Sequence, residues 1–156
     1  MLKIGNTAPV FSLQGIDHSG KEQEYISAAL LKDKHLIVYF YPKDDTPGCT
    51  KESCSFNASL IHIRHKAHII GISADGIASH LKFLEKHHLL FPLLSDTDLK
   101  VAKSFGATKV GLLGGDKISR STFLINKNGV LAGAWYDVKV DGHTEEVLAE
   151  LNKLES

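Results

Sequence analysis

Phe40-Tyr41-Pro42-Lys43-Asp44-Asp45-Thr46-Pro47-Gly48-Cys49-Thr50-Lys51-Glu52-Ser53-Cys54 is where a strand gives way to a helix. The run leading into it, His35-Leu36-Ile37-Val38-Tyr39-Phe40-Tyr41, is β-branched and aromatic, the composition of a buried strand, and it stops at Pro42. A polar Pro/Gly loop follows, and a helical pattern begins around Cys49. In an open α/β sheet, ligands gather outside the carboxyl ends of the strands, which puts Cys49 where chemistry is usually done. Both cysteines of the chain, Cys49 and Cys54, lie in this one segment.

A cysteine in the first turn of a helix meets unpaired N–H groups and the positive end of the macrodipole, and both favour the nucleophilic thiolate over the thiol. Gly48 removes a side chain beside Cys49 and opens the sulfur to a small substrate. Thr46 is able to aim its hydroxyl into the same pocket, with Pro47 restricting it to extended backbone. Cys54 stands five residues after Cys49. On one continuous helix the two thiols are about 7.5 Å apart along the axis and point to different faces, whereas a disulfide needs Cα atoms within roughly 7 Å and converging Cβ vectors. They cannot bond while the helix is intact, so a disulfide between them requires the first turns to unwind. That separates the pair from a C-x-x-C redox motif. The bland alternative, two inert thiols acting as small hydrophobes, has the loop, the helix start and the second thiol all arguing against it.

The pattern Pro42-x-x-x-Thr46-x-x-Cys49 resembles the active-site signature of peroxiredoxins, and Phe40 to Cys54 resembles the bacterioferritin-comigratory-protein (PrxQ) branch of the AhpC/TSA family. The likeness continues through Pro9–Leu13, Phe91–Asp96, Arg120–Ile125 and Val138–His143. It implies an α/β, thioredoxin-like fold: a central mixed β-sheet flanked by helices, with an N-terminal β-hairpin. It also implies a thiol-dependent peroxidase serving antioxidant defence. In that reading Cys49 attacks hydrogen peroxide or an organic hydroperoxide, releasing water or alcohol and leaving a sulfenic acid. Cys54 then resolves it to a Cys49–Cys54 disulfide, which thioredoxin or a similar dithiol reduces. Thr46, Arg120 and the Cys49 N–H align the two oxygens, while Pro42 and Gly48 border the substrate. Arg120 by itself reads as a solvated surface charge; only the resemblance assigns it to the pocket, where its planar, permanently charged fork favours a thiolate. The resembling family is often acidic or amide at the position of Glu52, which raises a pocket-tuning role, but by itself Glu52 reads as a third-position helix residue favoured by the dipole and is left outside the catalytic set. No metal, haem or flavin is required, and the branch implies a monomer.

At 156 residues, with no linker or repeat, the chain is expected to be one domain over 1–156. Eighteen basic and eighteen acidic residues balance, which leaves no electrostatic footprint for nucleic acid or an anionic membrane. Met1 to Asn6 has no apolar signal core, and no segment approaches the ~20 apolar residues of a membrane span. The expected address is cytoplasmic, where reducing conditions suit a cycling thiol pair.

Elsewhere, Val10–Leu13 and Glu24–Ile26 flank the turn Asp17–Gly20 as a hairpin, and Ser27–Lys32 reads as a short helix. The helix from Cys49 carries Phe56, Leu60 and Ile63 as a core stripe; Ala67–Ser73 is a second buried strand, and Ile77, Leu81 and Leu84 mark a crossover helix. Phe91–Leu94 is extended, Ser95–Asp98 offers an N-cap, and Leu99–Phe105 is helical. Gly106–Ser119 has no clean period. Ser121–Asn126 and Val130–Tyr136 form a hairpin about Asn126-Lys127-Asn128-Gly129. The last helix, from about Thr144 with Val147, Leu151 and Leu154, is expected to close the other face of the sheet. His62, His65 and His68 recur at a spacing that raises metal binding, but a Lys/Arg-rich helix end speaks for solvated side chains, as it does for His87-His88. Two rival functions remain: a general disulfide oxidoreductase, and a redox-sensing or metal-binding module.

Overall fold

The computed structural model describes residues 2–155; Met1 and Ser156 lie outside it. Strand β3 (His35–Phe40) is buried along its whole length. Its alternation divides the core: Ile37, Tyr39 and the following Tyr41 face one side, and Leu36, Val38 and Phe40 the other. Around it run β1 (Ser12–Ile16), β2 (Glu22–Ile26), β4 (Ala67–Ser73), β5 (Leu93–Ser95), β8 (Ser121–Ile125) and β9 (Leu131–Trp135). Together they form a seven-stranded sheet in the order β2-β1-β5-β4-β3-β8-β9. The pairs β3–β4 and β4–β5 are parallel, and the remaining pairs are antiparallel.

The helices are α1 (Ser27–Leu30), α2 (Pro47–Ala58), α3 (Leu60–Ile63), α4 (Ile77–His87), α5 (Lys100–Ser104) and α6 (His143–Asn152). Helices α2 and α4 cross between successive parallel strands that step the same way across the sheet, so right-handed crossovers put them on one face. Helix α6 joins them there: its Val147 and Leu151 share a core with Phe56 of α2 and with Phe83 and Leu84 of α4. This corrects the expectation that the last helix closes the opposite face. That face is covered by α5, with Ala102, then Phe105 and Ala107, and by Ala8 and Phe11 of the N-terminal segment. The apolar stripe of α6 is legible in the sequence, but a stripe fits either face.

Other departures have local causes. The N-terminal hairpin is part of the main sheet, because β1 pairs antiparallel with β5 through Gly15 and Ile16. Its first strand lies later in the chain than the Val10–Leu13 estimate, and Val10 is exposed. Phe56 and Ile63 are buried as expected, yet the helix breaks at Ser59 between them. His62, His65 and His68 therefore fall on α3, on the turn after it and on β4, all exposed, so no single helix aligns them. The Asp96 carboxylate accepts the Val101 and Ala102 N–H groups at 3.3 and 2.8 Å, capping α5 from four residues before it. Gly106–Ser119 holds a two-stranded ribbon, β6 (Thr108–Val110) with β7 (Asp116–Ile118), whose tip leaves Leu112 and Leu113 exposed.

Phe56 is fully buried, 5.0 Å from the Tyr39 ring and 6.0 Å from the His143 ring, centroid to centroid. Phe56→Ala is expected to cost about 3–5 kcal/mol of unfolding free energy in urea titration. Leu112→Ser and Leu113→Ser are expected to stay within about 0.5 kcal/mol of wild type.

Candidate active site

Thr46 is extended (φ −89°, ψ 155°) and Pro47 opens α2, so Cys49 is the third residue of the helix. The sulfur-bearing side chain is buried, with the residue only 1% exposed. Pairing of β8 with β3 sets Ser121 opposite Phe40, which brings the preceding residue, Arg120, beside the chain leaving β3. The Arg120 carbonyl accepts the Val138 N–H at 3.0 Å, which anchors that backbone. Its guanidinium is forked. Nη2 donates to the Cys49 Sγ at 3.3 Å, and Nη1 donates to the Glu52 Oε1 at 2.8 Å.

Glu52 is one helical turn beyond Cys49 and is buried to 1% exposure, with Oε2 lacking a hydrogen-bond partner among the described residues. Burial outweighs the attraction of Arg120 and pushes the carboxyl up from its ordinary 4.5 to about 7. For Arg120 burial pulls downward, but the charges of Glu52 and Cys49 more than offset it and raise the guanidinium above its ordinary value. The result is a buried cation shared between a sulfur and a carboxyl that titrates near neutrality. Sequence reasoning leaves Glu52 out; its spacing of three from Cys49 on one helix is the available signal.

A Cβ at Gly48 would come within 3.1 Å of Arg120 Nη2, so the missing side chain leaves room for the guanidinium. Thr46 stands at the helix entrance, but its hydroxyl donates to the Lys43 carbonyl at 2.9 Å. Pro42 is exposed at the end of β3. Cys54 lies on α2, partly buried, and both thiols are free. Burial pushes the Cys54 thiol up. The structure thus brings Cys49, Gly48 and Arg120 together, adds Glu52, and keeps Cys54 away along an intact helix.

A thiol seated in the first turn of a helix beyond a central parallel strand, with a guanidinium on its sulfur, defines a thiol-based redox protein on a thioredoxin-like sheet. Residues 4–134 match the AhpC/TSA family. Among relatives, the chain is 42% identical over 157 aligned positions to Peroxiredoxin Bcp of Bacillus subtilis (strain 168), spanning 98% of this chain and 97% of that one. It superposes on the structure of a Xylella fastidiosa PrxQ mutant with a TM-score of 0.88 at 34% identity, covering 98% of this chain and 97% of that chain. It also superposes on the bacterioferritin comigratory protein of Xanthomonas campestris, whose structures bear on its alkyl peroxide reduction activity. There the TM-score is 0.81 at 36% identity, covering 92% of this chain and 90% of that chain. The chain belongs to the AhpC/TSA family, in its Bcp/PrxQ peroxiredoxin branch, and is a thiol-dependent peroxidase.

The Glu52 carboxyl binds its proton more tightly folded than unfolded. Its contribution to stability is therefore full below about 4.5 and is lost as pH rises through about 7. Relative to Glu52→Gln, the wild type is expected to lose on the order of 3 kcal/mol of unfolding free energy across that window. Urea titrations of both proteins near pH 4.5 and near pH 8 measure the difference, and parallel pH profiles would refute it.

Proposed function

We propose that Cys49 is the peroxidatic thiol, that Cys54 resolves it, and that a thioredoxin-type dithiol closes the cycle. The observation that carries this reading is the Arg120 guanidinium 3.3 Å from a buried sulfur in the first turn of α2. A charged donor and the helix N-terminus both stabilise sulfur as an anion. The thiolate attacks the terminal oxygen of the peroxide; the O–O bond breaks, the departing oxygen takes a proton, and Cys49 is left as a sulfenic acid. Arg120 and the Cys49 N–H hold the two oxygens in line and stabilise charge on the leaving one. The Thr46 hydroxyl, which donates to the Lys43 carbonyl, turns to the bound peroxide. Pro42 and Gly48 edge the site.

The second step needs α2 to open, because Cys49 and Cys54 share one helix. Unwinding releases the Arg120 contacts and the Lys51–Asp141 ion pair. Beyond Cys54 the helix is pinned: Ser55 shares a hydrogen bond with Thr144 at 2.6 Å, and Phe56 is in the core. The Cys54 sulfur then attacks the sulfenic acid, water leaves, and the disulfide is reduced by exchange with an external dithiol. We take the substrates to be hydrogen peroxide and organic hydroperoxides, the latter supported by the Xanthomonas relative. The same reading has the chain working as a one-domain monomer in a reducing cytoplasm.

Intact mass of the reduced protein after one equivalent of hydrogen peroxide tests the assignment. Wild type is expected to lose two hydrogens, Cys54→Ser to gain one oxygen on Cys49, and Cys49→Ser to stay unchanged; a wild type that remains reduced over minutes would end the reading. Arg120→Ala is expected to slow peroxide attack by about 10²–10³-fold in stopped-flow measurements, the range seen when one oxyanion donor is removed.

A further inference from the structure

The loop between β3 and α2 is held from below by a buried cluster that the peroxidase reading does not use. Asp44 accepts the Tyr41 hydroxyl on Oδ1 at 2.5 Å and the Ser79 hydroxyl on Oδ2 at 2.8 Å. His80 Nδ1 lies 2.7 Å from the same Oδ2, and His80 Nε2 lies 3.0 Å from the Leu94 carbonyl. His80 is fully buried and Asp44 nearly so. The Leu94 carbonyl only accepts, so Nε2 donates to it, and His80 Nδ1 shares a buried hydrogen bond with Asp44 Oδ2. The Asp44 backbone N–H is bound separately, by Asp75 at 2.8 Å.

Asp44, Asp75 and His80 have the residue types of a metal site, with ligand atoms within 4.8 Å of one another. Their bonds argue otherwise. Both His80 nitrogens, both Asp44 oxygens and Asp75 Oδ2 are already engaged in hydrogen bonds within the protein.

The next residue extends the grip. Asp45 has a left-handed backbone (φ 58°), which side-chain-bearing residues rarely adopt. Its carboxylate accepts Lys86 Nζ at 2.7 Å and His87 Nε2 at 3.0 Å, both on α4. Helix α4 therefore clasps two consecutive loop residues, one by a buried bridge and one by a surface bridge. Thr46 follows at once as the entrance to α2.

The clasp faces a fixed point on the other side of the reacting segment. Ser53 shares a 2.7 Å hydrogen bond with the Tyr39 hydroxyl, and Ser55 and Phe56 are pinned to α6 and the core. Between Asp45 and Ser53 lie the turns that must unwind for Cys49 to reach Cys54. We propose that the Asp44–His80 and Asp45–α4 bridges are positioning contacts that govern this unwinding: they hold the first turns of α2 closed and so set how long the Cys49 sulfenic acid survives before Cys54 captures it. The proposal rests on the assignment of Cys49 and Cys54 made above. A longer-lived sulfenic acid is exposed to a second peroxide, whose oxygen is transferred to sulfur to give a sulfinic acid while water leaves. The clasp thus slows resolution and, by the same delay, raises exposure to over-oxidation.

The test is rapid-quench intact mass across a peroxide series for wild type, Asp44→Asn and the surface variant Asp45→Gly. Asp45→Gly keeps the left-handed backbone, removes only exposed contacts and guards against a buried variant that fails to fold. Loss of a charge-assisted bridge is expected to speed disulfide formation about tenfold in Asp44→Asn, with a smaller gain in Asp45→Gly. The sulfinic fraction at a given peroxide concentration falls in proportion, while peroxide attack on Cys49 stays within about twofold. A merely structural role would slow attack and leave the ratio of disulfide to sulfinic product unchanged, and that result overturns the proposal. Variants that resolve at the wild-type rate overturn the clasp alone; a wild type that forms no Cys49–Cys54 disulfide overturns it together with the assignment on which it rests.

Discussion

The guanidinium of Arg120, forked between the Cys49 sulfur and the Glu52 carboxyl, is the contact around which the site is arranged. A buried cation is costly unless its donors find acceptors, and here two acceptors come from one face of one helix, a turn apart. Much of the local architecture exists to make that meeting possible. Antiparallel pairing of β8 with β3 delivers Arg120 to the level at which β3 releases its chain. Gly48 vacates the volume that the guanidinium fills. Gly71 on β4 does the same for Tyr39, since a Cβ there would come within 2.8 Å of its hydroxyl. Tyr39 in turn reaches Ser53 of α2.

The same helix has two incompatible duties. A nucleophile at a helix N-terminus needs the helix formed, since the unpaired N–H groups and the dipole exist only then. A disulfide across five residues needs it undone. The distribution of contacts along α2 fits a segment that opens over a limited length. Ser53, Ser55 and Phe56 tie its second half to β3 and α6. Its first half is held by the Arg120 bonds and an exposed ion pair, and exposed pairs contribute little. The length that opens is thus bounded by the loop clasped to α4 on one side and by the pinned second half on the other.

Elements governed by local rules are legible in the sequence. The buried run into Pro42, the second strand Ala67–Ser73, the crossover helix after it and the hairpin about Asn126–Gly129 all appear where periodicity and turn chemistry put them. The family signature runs alongside these and supplies Arg120. What escapes is long-range. The face chosen by α6, the joining of the N-terminal hairpin to β5 and the ribbon inside Gly106–Ser119 depend on partners distant in sequence. Glu52 escapes because an acidic residue early in a helix has a sufficient local explanation, and only burial beside Arg120 reveals another.

By itself, the sequence determined that a strand, a Pro/Gly loop and a helix would carry a thiol at their junction, with a second thiol unable to reach it along an intact helix. Backbone sterics, helix geometry and hydrophobic period are local, and one chain read in order suffices for them. Tertiary structure alone decided that Glu52 is a buried partner of Arg120 rather than a solvated helix residue. It also decided that His80, which carries no signal in the sequence, closes a buried bridge to the loop ahead of Cys49. The physical reason is desolvation. A charged side chain acquires its protonation, its partner and its influence from what excludes water around it, and that surrounding is assembled from residues 36 and 68 positions apart in the chain.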